Sequence, residues 1–349
     1  MDKKNFYSLL QSIPKAELHL HQEAVVGKKT IKKVYKNSTG KDLSEEEYKS
    51  LFSYTDLAGF LDSFIKIQSY VKNIEDLDYF FDDFESYLEK NNIVYCETFF
   101  SVTSHLKKGW NFHEMIQRVS SHIKKIEQKT GRTVKLLIDV SRSFGVQNAM
   151  QNLNYVLEEK NPDIIGIGLG GNEKTGPAKE YAEVFDKAIK NNLHVVAHAG
   201  EVCGWESISD SIKFLHAQRI GHGIAAIQNK EFMAELKKSQ IPLEICPTSN
   251  IFTNAIEGTL KNHPVKEFYQ NGLMLTINTD DPTFFKVSLI DEFWNLYKEL
   301  KFSLEDIKIL IKNAFKASFI SDSKKKSYCA QVDKAWNEWF SAHPEFEQK

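Results

Sequence analysis

LHVVAHAGEVCGWESISDSIKFLHAQRIGH, residues 193–222, contains two short apolar runs, Leu193–His198 and Arg219–His222, separated by Trp205–Leu215 with its apolar residues three and four apart. Strand, amphipathic helix and strand in that order form the repeating unit of a parallel sheet. Working outward, the same alternation recurs along the chain. Further apolar runs bounded by turn or cap residues lie at Ala16–His21, Ile93–Ser101, Val134–Val140, Ile164–Leu169, Pro242–Cys246 and Leu273–Asn278, which makes eight. Helix-period stretches fall between them at Ile74–Lys90, Phe112–Lys129, Val146–Glu159, Ala178–Asn191 and Lys230–Lys238. Eight strands alternating with helices predict an α/β fold, a (β/α)8 TIM barrel forming a single domain over residues 1–349.

Two segments exceed a minimal barrel. Thr30–Tyr70 follows the first strand and holds a charged run, SEEEYK at 44–49, then the apolar-spaced DLAGFLDSF at 56–64. An insertion after a strand sits on the C-terminal face of a barrel, so residues 30–70 are expected to form a helical lid. After the eighth strand, Leu289–Leu300, Leu304–Ser318 and Val332–Phe340 read as additional helices within residues 289–349.

Composition narrows the function. The 349 residues carry a net charge of −2 and are 42% hydrophobic with 24 Phe, enough for a large core. A chain near neutrality does not work by phosphate neutralisation, so nucleic acid is not an expected partner. No stretch approaches the ~20 apolar residues of a spanning helix, and mean hydropathy is −0.40, so no membrane is expected either. The N-terminal MDKKNFYSLLQSIPK has no apolar core of a signal peptide. Its Phe6, Tyr7, Leu9 and Leu10 read as scattered apolar residues. Cys96, Cys203, Cys246 and Cys329 are far apart and form no C-x-x-C pair. A reducing cytoplasm is the expected compartment.

Histidine placement points to chemistry. Of the 11 histidines, five fall at ends of expected strands: His19, His21, His194, His198 and His222. In ELHLH the i, i+2 spacing puts His19 and His21 on one side of a strand, where both imidazoles can reach one ion. His198 ends the fifth strand in VVAHAGE, and the acidic pair Asp280–Asp281 ends the eighth in TINTDDP. Three nitrogen donors and one oxygen donor, His19, His21, His198 and Asp280, then converge at one barrel mouth, a zinc-like set with an open position for water. His194 begins its strand and reads as a packing histidine. The other six sit in helical or loop context without an identified convergent partner. Activating water also calls for groups that move protons, and Glu201 in HAGE and His222 in RIGHG are placed for that work.

Six strings in order, PKAELHLH at 14–21, LGGNE at 169–173, HAGE at 198–201, RIGHG at 219–223, EICPTSN at 244–250 and TINTDDP at 276–282, together resemble the adenosine deaminase family of metal-dependent hydrolases. The resemblance implies one Zn2+ per chain on His19, His21, His198 and Asp280, and hydrolytic deamination at C6 of a 6-aminopurine with release of ammonia. It further implies that Glu201 protonates the ring nitrogen beside C6. His222 orients and deprotonates the water, and Asp281 and Gly171 hydrogen-bond the purine. DLAGFLDSF corresponds to the helix over the substrate, with Phe60, Leu61 and Phe64 as lid residues. A single ion is expected because the fourth strand ends in GLGGN, with no lysine or glutamate placed there to bridge a second. A binuclear amidohydrolase and a non-catalytic binding protein are the competing readings. Metal stoichiometry distinguishes the first, and the intact set of buried polar groups argues against the second.

Three positions depart from the family pattern and bear on the substrate. The first motif continues as Gln22–Glu23–Ala24 in place of x-Asp-Gly, Asn172 stands where Asp is usual, and Phe99 stands where many relatives have a basic residue. Glu23 takes the position that meets the sugar, beside His21. A phosphate placed ~4 Å from that carboxylate, at an effective dielectric of about 20, meets repulsion of up to roughly 4 kcal/mol per unit charge. The expected partner is accordingly a small, neutral purine. Adenosine or deoxyadenosine ranks first, adenine is the nearest competitor, and a cyclic or 5′-modified nucleotide requires Glu23 to turn aside.

Overall fold

Apolar residues concentrated in short runs become eight strands in the computed structural model, which describes residues 1–346. They are β1 (Lys15–Glu17), β2 (Ile93–Phe100), β3 (Thr133–Ser141), β4 (Ile164–Gly170), β5 (His194–Ala199), β6 (Arg219–His222), β7 (Leu243–Ile245) and β8 (Leu275–Ile277). Each pairs in parallel with the next, so the sheet follows chain order from β1 to β8. Such strands are covered by side chains inside and by helices outside, so that even polar members such as Lys15, Glu17, Arg219 and His222 are buried. In β2, for example, all residues but Val94 are buried.

The barrel closes between β8 and β1 by an irregular seam. The Asn278 side-chain oxygen accepts from the backbone N–H groups of Leu18 and His19 at 3.0 and 3.2 Å, in place of a ladder. Beyond it, Asp280 N–H donates to the His19 carbonyl at 3.1 Å and His21 N–H to the Asp280 carbonyl at 3.0 Å. The expected strand Ala16–His21 is therefore regular only to Glu17. Its end is tied to β2 and to the residues after β8 by isolated bridges, Leu20 with Asp280 and His21 with Phe99. The seam is thus built from residues that also furnish the candidate site.

Three helices fill the expected insertion: Lys28–Thr39, Glu45–Ser50 and Leu57–Ser69. The last starts at Asp56, whose carboxylate caps Gly59 N–H at 2.8 Å. It is pinned by Phe60, whose ring centroid lies 5.5 and 5.0 Å from those of Phe284 and Phe285. C-terminal helices run Leu289–Lys298, Leu304–Ala317 and Asp322–Ala342. The last outruns the expected Val332–Phe340 because only Val332, Trp336 and Trp339 are buried, leaving no apolar stripe over its first turns. Residues 347–349 of the expected C-terminal segment lie outside the described residues.

A helix at Lys3–Ser12 was not anticipated. Its buried Phe6, Leu9 and Leu10, followed by buried Ile13, have the i, i+3, i+4, i+7 spacing of a helix face. Phe6 packs against Trp294 and Tyr297, docking this helix on Leu289–Lys298. Among the described residues no helix is long and apolar enough to cross a membrane.

Candidate active site

At the C-terminal mouth of the barrel, the donor atoms of His19, His21, His198 and Asp280 all lie within 4.8 Å of one another. His21 Nε2 is 3.3 Å from His198 Nε2 and 3.3 Å from Asp280 Oδ1, and His19 Nε2 is 3.4 Å from the same oxygen. Surrounding residues fix the ring orientations. His19 Nδ1 is 2.8 Å from Glu244 Oε2, His198 Nδ1 is 3.1 Å from the Leu169 carbonyl, and Ser249 Oγ donates to Asp280 Oδ2 at 2.7 Å. An imidazole whose Nδ1–H meets an acceptor presents a lone pair at Nε2. His19 Nε2 is buried without a hydrogen-bond partner, and two imidazole nitrogens face one carboxylate oxygen. That donor set fits one divalent cation of the zinc type.

Backbone conformation is unusual at this mouth. Asp280 and His222 take φ of 65° and 61°, the left-handed region that side chains other than glycine's rarely occupy. Gly221 allows close approach, since a Cβ there would sit 2.6 Å from His19 Cε1.

Three further acid–base groups face the same space. His222 Nε2 lies 3.7 Å from Glu201 Oε2 and 3.9 Å from Asp280 Oδ2. Burial, followed by repulsion from Asp280 and Glu173, pushes the Glu201 carboxyl up to about 8, so it holds a proton at neutral pH. Burial pushes His222 down to about 4 and keeps it uncharged. Asp281, beside Asp280, is raised well above the usual carboxylate range by burial and by its neighbour's charge, and so can act as a donor. Glu201 is held by a clamp: the Glu173 carboxylate accepts from the backbone N–H groups of Gly200, Glu201, Val202 and Cys203 at 2.6–3.2 Å, and from Ser207 Oγ at 2.6 Å. Both oxygens of Glu173 are thus committed to that turn.

An inner cavity of about 130 Å³ adjoins these groups, and His21, His198, Glu201, His222, Asp280 and Asp281 all line it. Phe60, Leu61 and Phe64 of the helix Leu57–Ser69 line it, and Gly171 forms part of its wall. With φ of 85° and a would-be Cβ 2.7 Å from Ser141 Oγ, Gly171 has no room for a side chain. A more open vestibule of about 850 Å³, reached past Leu57, Leu61 and Ile65, continues outward over Asn172 and Lys174.

Glu23 is the exception among the expected substrate residues. It is buried but absent from the cavity lining; its Oε1 accepts from Ser101 N–H at 2.6 Å and its Oε2 has no partner. The extra methylene relative to Asp carries the carboxylate to that backbone amide. Facing the cavity instead is Asp139, near the end of β3, whose Oδ2 accepts from Ser101 Oγ at 3.0 Å while Oδ1 is unpartnered. Sequence reading missed Asp139, although it is the lone acid in the apolar run LLIDV. His194 is the packing histidine expected, stacked on Phe319 at 3.8 Å and 3.0 Å from Gln218 Oε1.

Residues 14–335 match the family model for adenosine deaminase. The chain is 33% identical over 334 residues to adenine deaminase of Psychrobacter cryohalolentis, covering 94% of this chain and 98% of that protein. It is 32% identical over 345 residues to adenosine deaminase of Clostridium kluyveri, covering 97% of each. In three dimensions it is similar to the crystal structure of adenine deaminase from Arthrobacter aurescens, with a TM-score of 0.87 at 29% identity over 93% of this chain and 99% of that one. Family model, relatives and fold agree with the histidine and carboxylate cluster at the barrel mouth, and the chain therefore belongs to the adenosine deaminase family and is a hydrolytic deaminase.

Proposed function

We propose that this deaminase acts on a neutral adenine-type purine, adenosine or the free base adenine, in preference to any nucleotide, with one zinc ion held by His19, His21, His198 and Asp280. The observation that carries the substrate reading is the lack of a basic side chain on the wall of the inner cavity. Among the described residues no lysine or arginine lines it, and Asp139 presents an unpartnered carboxyl oxygen there. Such a wall offers Asp139 to a hydroxyl or ring N–H donor and gives the charge of a phosphate no partner. The aromatic cover of Phe60 and Phe64 suits a flat heterocycle.

A zinc ion held by His19, His21, His198 and Asp280 would supply Lewis acidity toward a water. The chain's own groups do the rest. Asp281, held protonated, donates to one purine nitrogen, and Gly171 N–H donates to another, which together orient C6 toward the histidine cluster. Glu201 delivers its proton to the ring nitrogen beside C6, favouring addition at that carbon. The lid excludes bulk water and keeps those hydrogen bonds strong.

Two of the relatives are named for adenine and adenosine respectively, which supports the adenine ring as the shared feature. Steady-state ammonia release tests the reading: kcat/KM for adenosine or adenine is expected to exceed that for AMP, and Asp139→Asn is expected to narrow the gap. AMP as the better substrate of the parent contradicts it.

A further inference from the structure

His222 is the end of a buried hydrogen-bond relay whose polarity is set by a backbone amide. Val265 N–H donates to His263 Nδ1 at 3.1 Å, and His263 Nε2 lies 3.1 Å from Asn250 Oδ1. Asn250 Nδ2 lies 3.1 Å from His222 Nδ1. All three side chains are at least nine-tenths buried, His222 at 1%, Asn250 at 0% and His263 at 4% exposure.

A backbone N–H can only donate, so each later link has one allowed direction. With Nδ1 accepting, the ring proton of neutral His263 sits on Nε2 and is donated to Asn250 Oδ1. That contact fixes the amide, so Nδ2 faces His222 and donates to its Nδ1. The ring proton of His222 is then on Nε2, the nitrogen that faces Glu201 and Asp280. Burial supports the neutral form of His263 by pushing it down to about 3.

We infer that Asn250 and His263 are positioning residues that lock His222 as a hydrogen-bond donor at Nε2, so that it orients the water but cannot take its proton. This rests on the deamination site proposed above and reverses the role that family resemblance implies for His222. The proton then has another acceptor. Glu201 first gives its proton to the ring nitrogen and becomes a carboxylate. As the water oxygen bonds to C6, one water proton passes to that carboxylate, and Glu201 returns it to the 6-amino nitrogen. The C6–N bond breaks and ammonia leaves, the ring nitrogen keeps its proton, and the second water proton passes from the C6 hydroxyl to Glu201, which forms the C6 carbonyl and restores the acid. One carboxyl group performs the transfers, and His222 stays neutral throughout.

The test reads the tautomer directly, without turnover. Histidine-15N NMR of the zinc-loaded protein, with the His222 signals identified by their loss in His222→Gln, is expected to show Nδ1 unprotonated and Nε2 protonated. A protonated Nδ1 overturns the inference, whatever the enzyme deaminates; absence of deaminase activity would instead overturn the proposed function and leave the tautomer result standing. Asn250→Asp presents an acceptor to both histidines and should transfer the His222 proton to Nδ1. It should lower kcat by about 10–100-fold, the usual cost of losing an orienting partner, with KM and zinc content near the parent's. An inverted tautomer with parental kcat also overturns the inference, and if this variant does not fold, the parent spectrum alone decides.

Discussion

Asp280 and Asp281 are adjacent in the chain yet suited to opposite tasks. Burial, which raises Asp280, is outweighed by the His19 and His21 imidazoles, so Asp280 remains a carboxylate able to ligate. Asp281 feels that same charge as a like neighbour and keeps its proton. Glu201, raised to about 8 chiefly by burial, is the third acid and the one that moves protons in this account. Glu201→Gln is expected to retain the metal and lower kcat by about 10²–10⁴-fold, the range for losing a positioned acid–base group; steady-state kinetics with parallel elemental analysis checks both halves. His198→Ala is expected to lose the metal and the activity together, since three remaining donors leave an incomplete set. One equivalent of zinc retained in that variant would contradict the ligand assignment.

At the scale of elements, the turn after β5 is shaped by a residue of the loop that follows β4. Glu173 gathers successive N–H groups of residues 200–203 and so sets where Glu201 points. Glu173→Gln halves the acceptor capacity of that side chain, because one oxygen becomes an NH2 donor facing other donors. The expected result is a kcat about 10–100-fold lower with zinc retained, measured beside Glu201→Gln to show that both act on the same step. These elements were legible from the sequence to different degrees. A strand that coincides with its apolar run, such as Ile164–Gly170 against the expected Ile164–Leu169, was readable because burial on both faces leaves a continuous pattern. Lys3–Ser12 carries an equally clear helical period but was read for an export signal instead. His19, His21, His198 and Asp280 were legible since all four stand at strand ends, where a barrel brings them together. The Asn250–His263 relay was not, because it meets His222 through loop geometry that no local pattern records, whereas Asp139 did carry a signal as the lone acid of LLIDV.

Over the whole molecule, buried acids make stability depend on pH. Glu292 is 0% exposed, accepts from Thr248 N–H at 2.9 Å, and is raised from 4.5 to about 8, chiefly by burial. Between those two values the folded chain holds a proton that the unfolded chain has lost. This stabilisation is fully present below about pH 4.5 and is lost as pH rises through about 8. Glu292→Gln keeps the acceptor for Thr248 and carries no charge to desolvate, so its Tm should fall less than the parent's between about pH 5 and about pH 9. Parallel Tm curves for the two proteins would contradict the assignment. Around the metal-type donor set it is the lack of a lysine or arginine on the inner cavity, among the described residues, that selects a neutral purine. The most direct test is ammonia release from adenosine, adenine, deoxyadenosine, AMP and cyclic AMP by protein whose zinc content is quantified in the same preparation. The account predicts one zinc per active chain, highest kcat/KM for adenosine or adenine, and loss of activity on chelation. Activity retained without metal, two metals per active chain, or a nucleotide as the preferred substrate would contradict it.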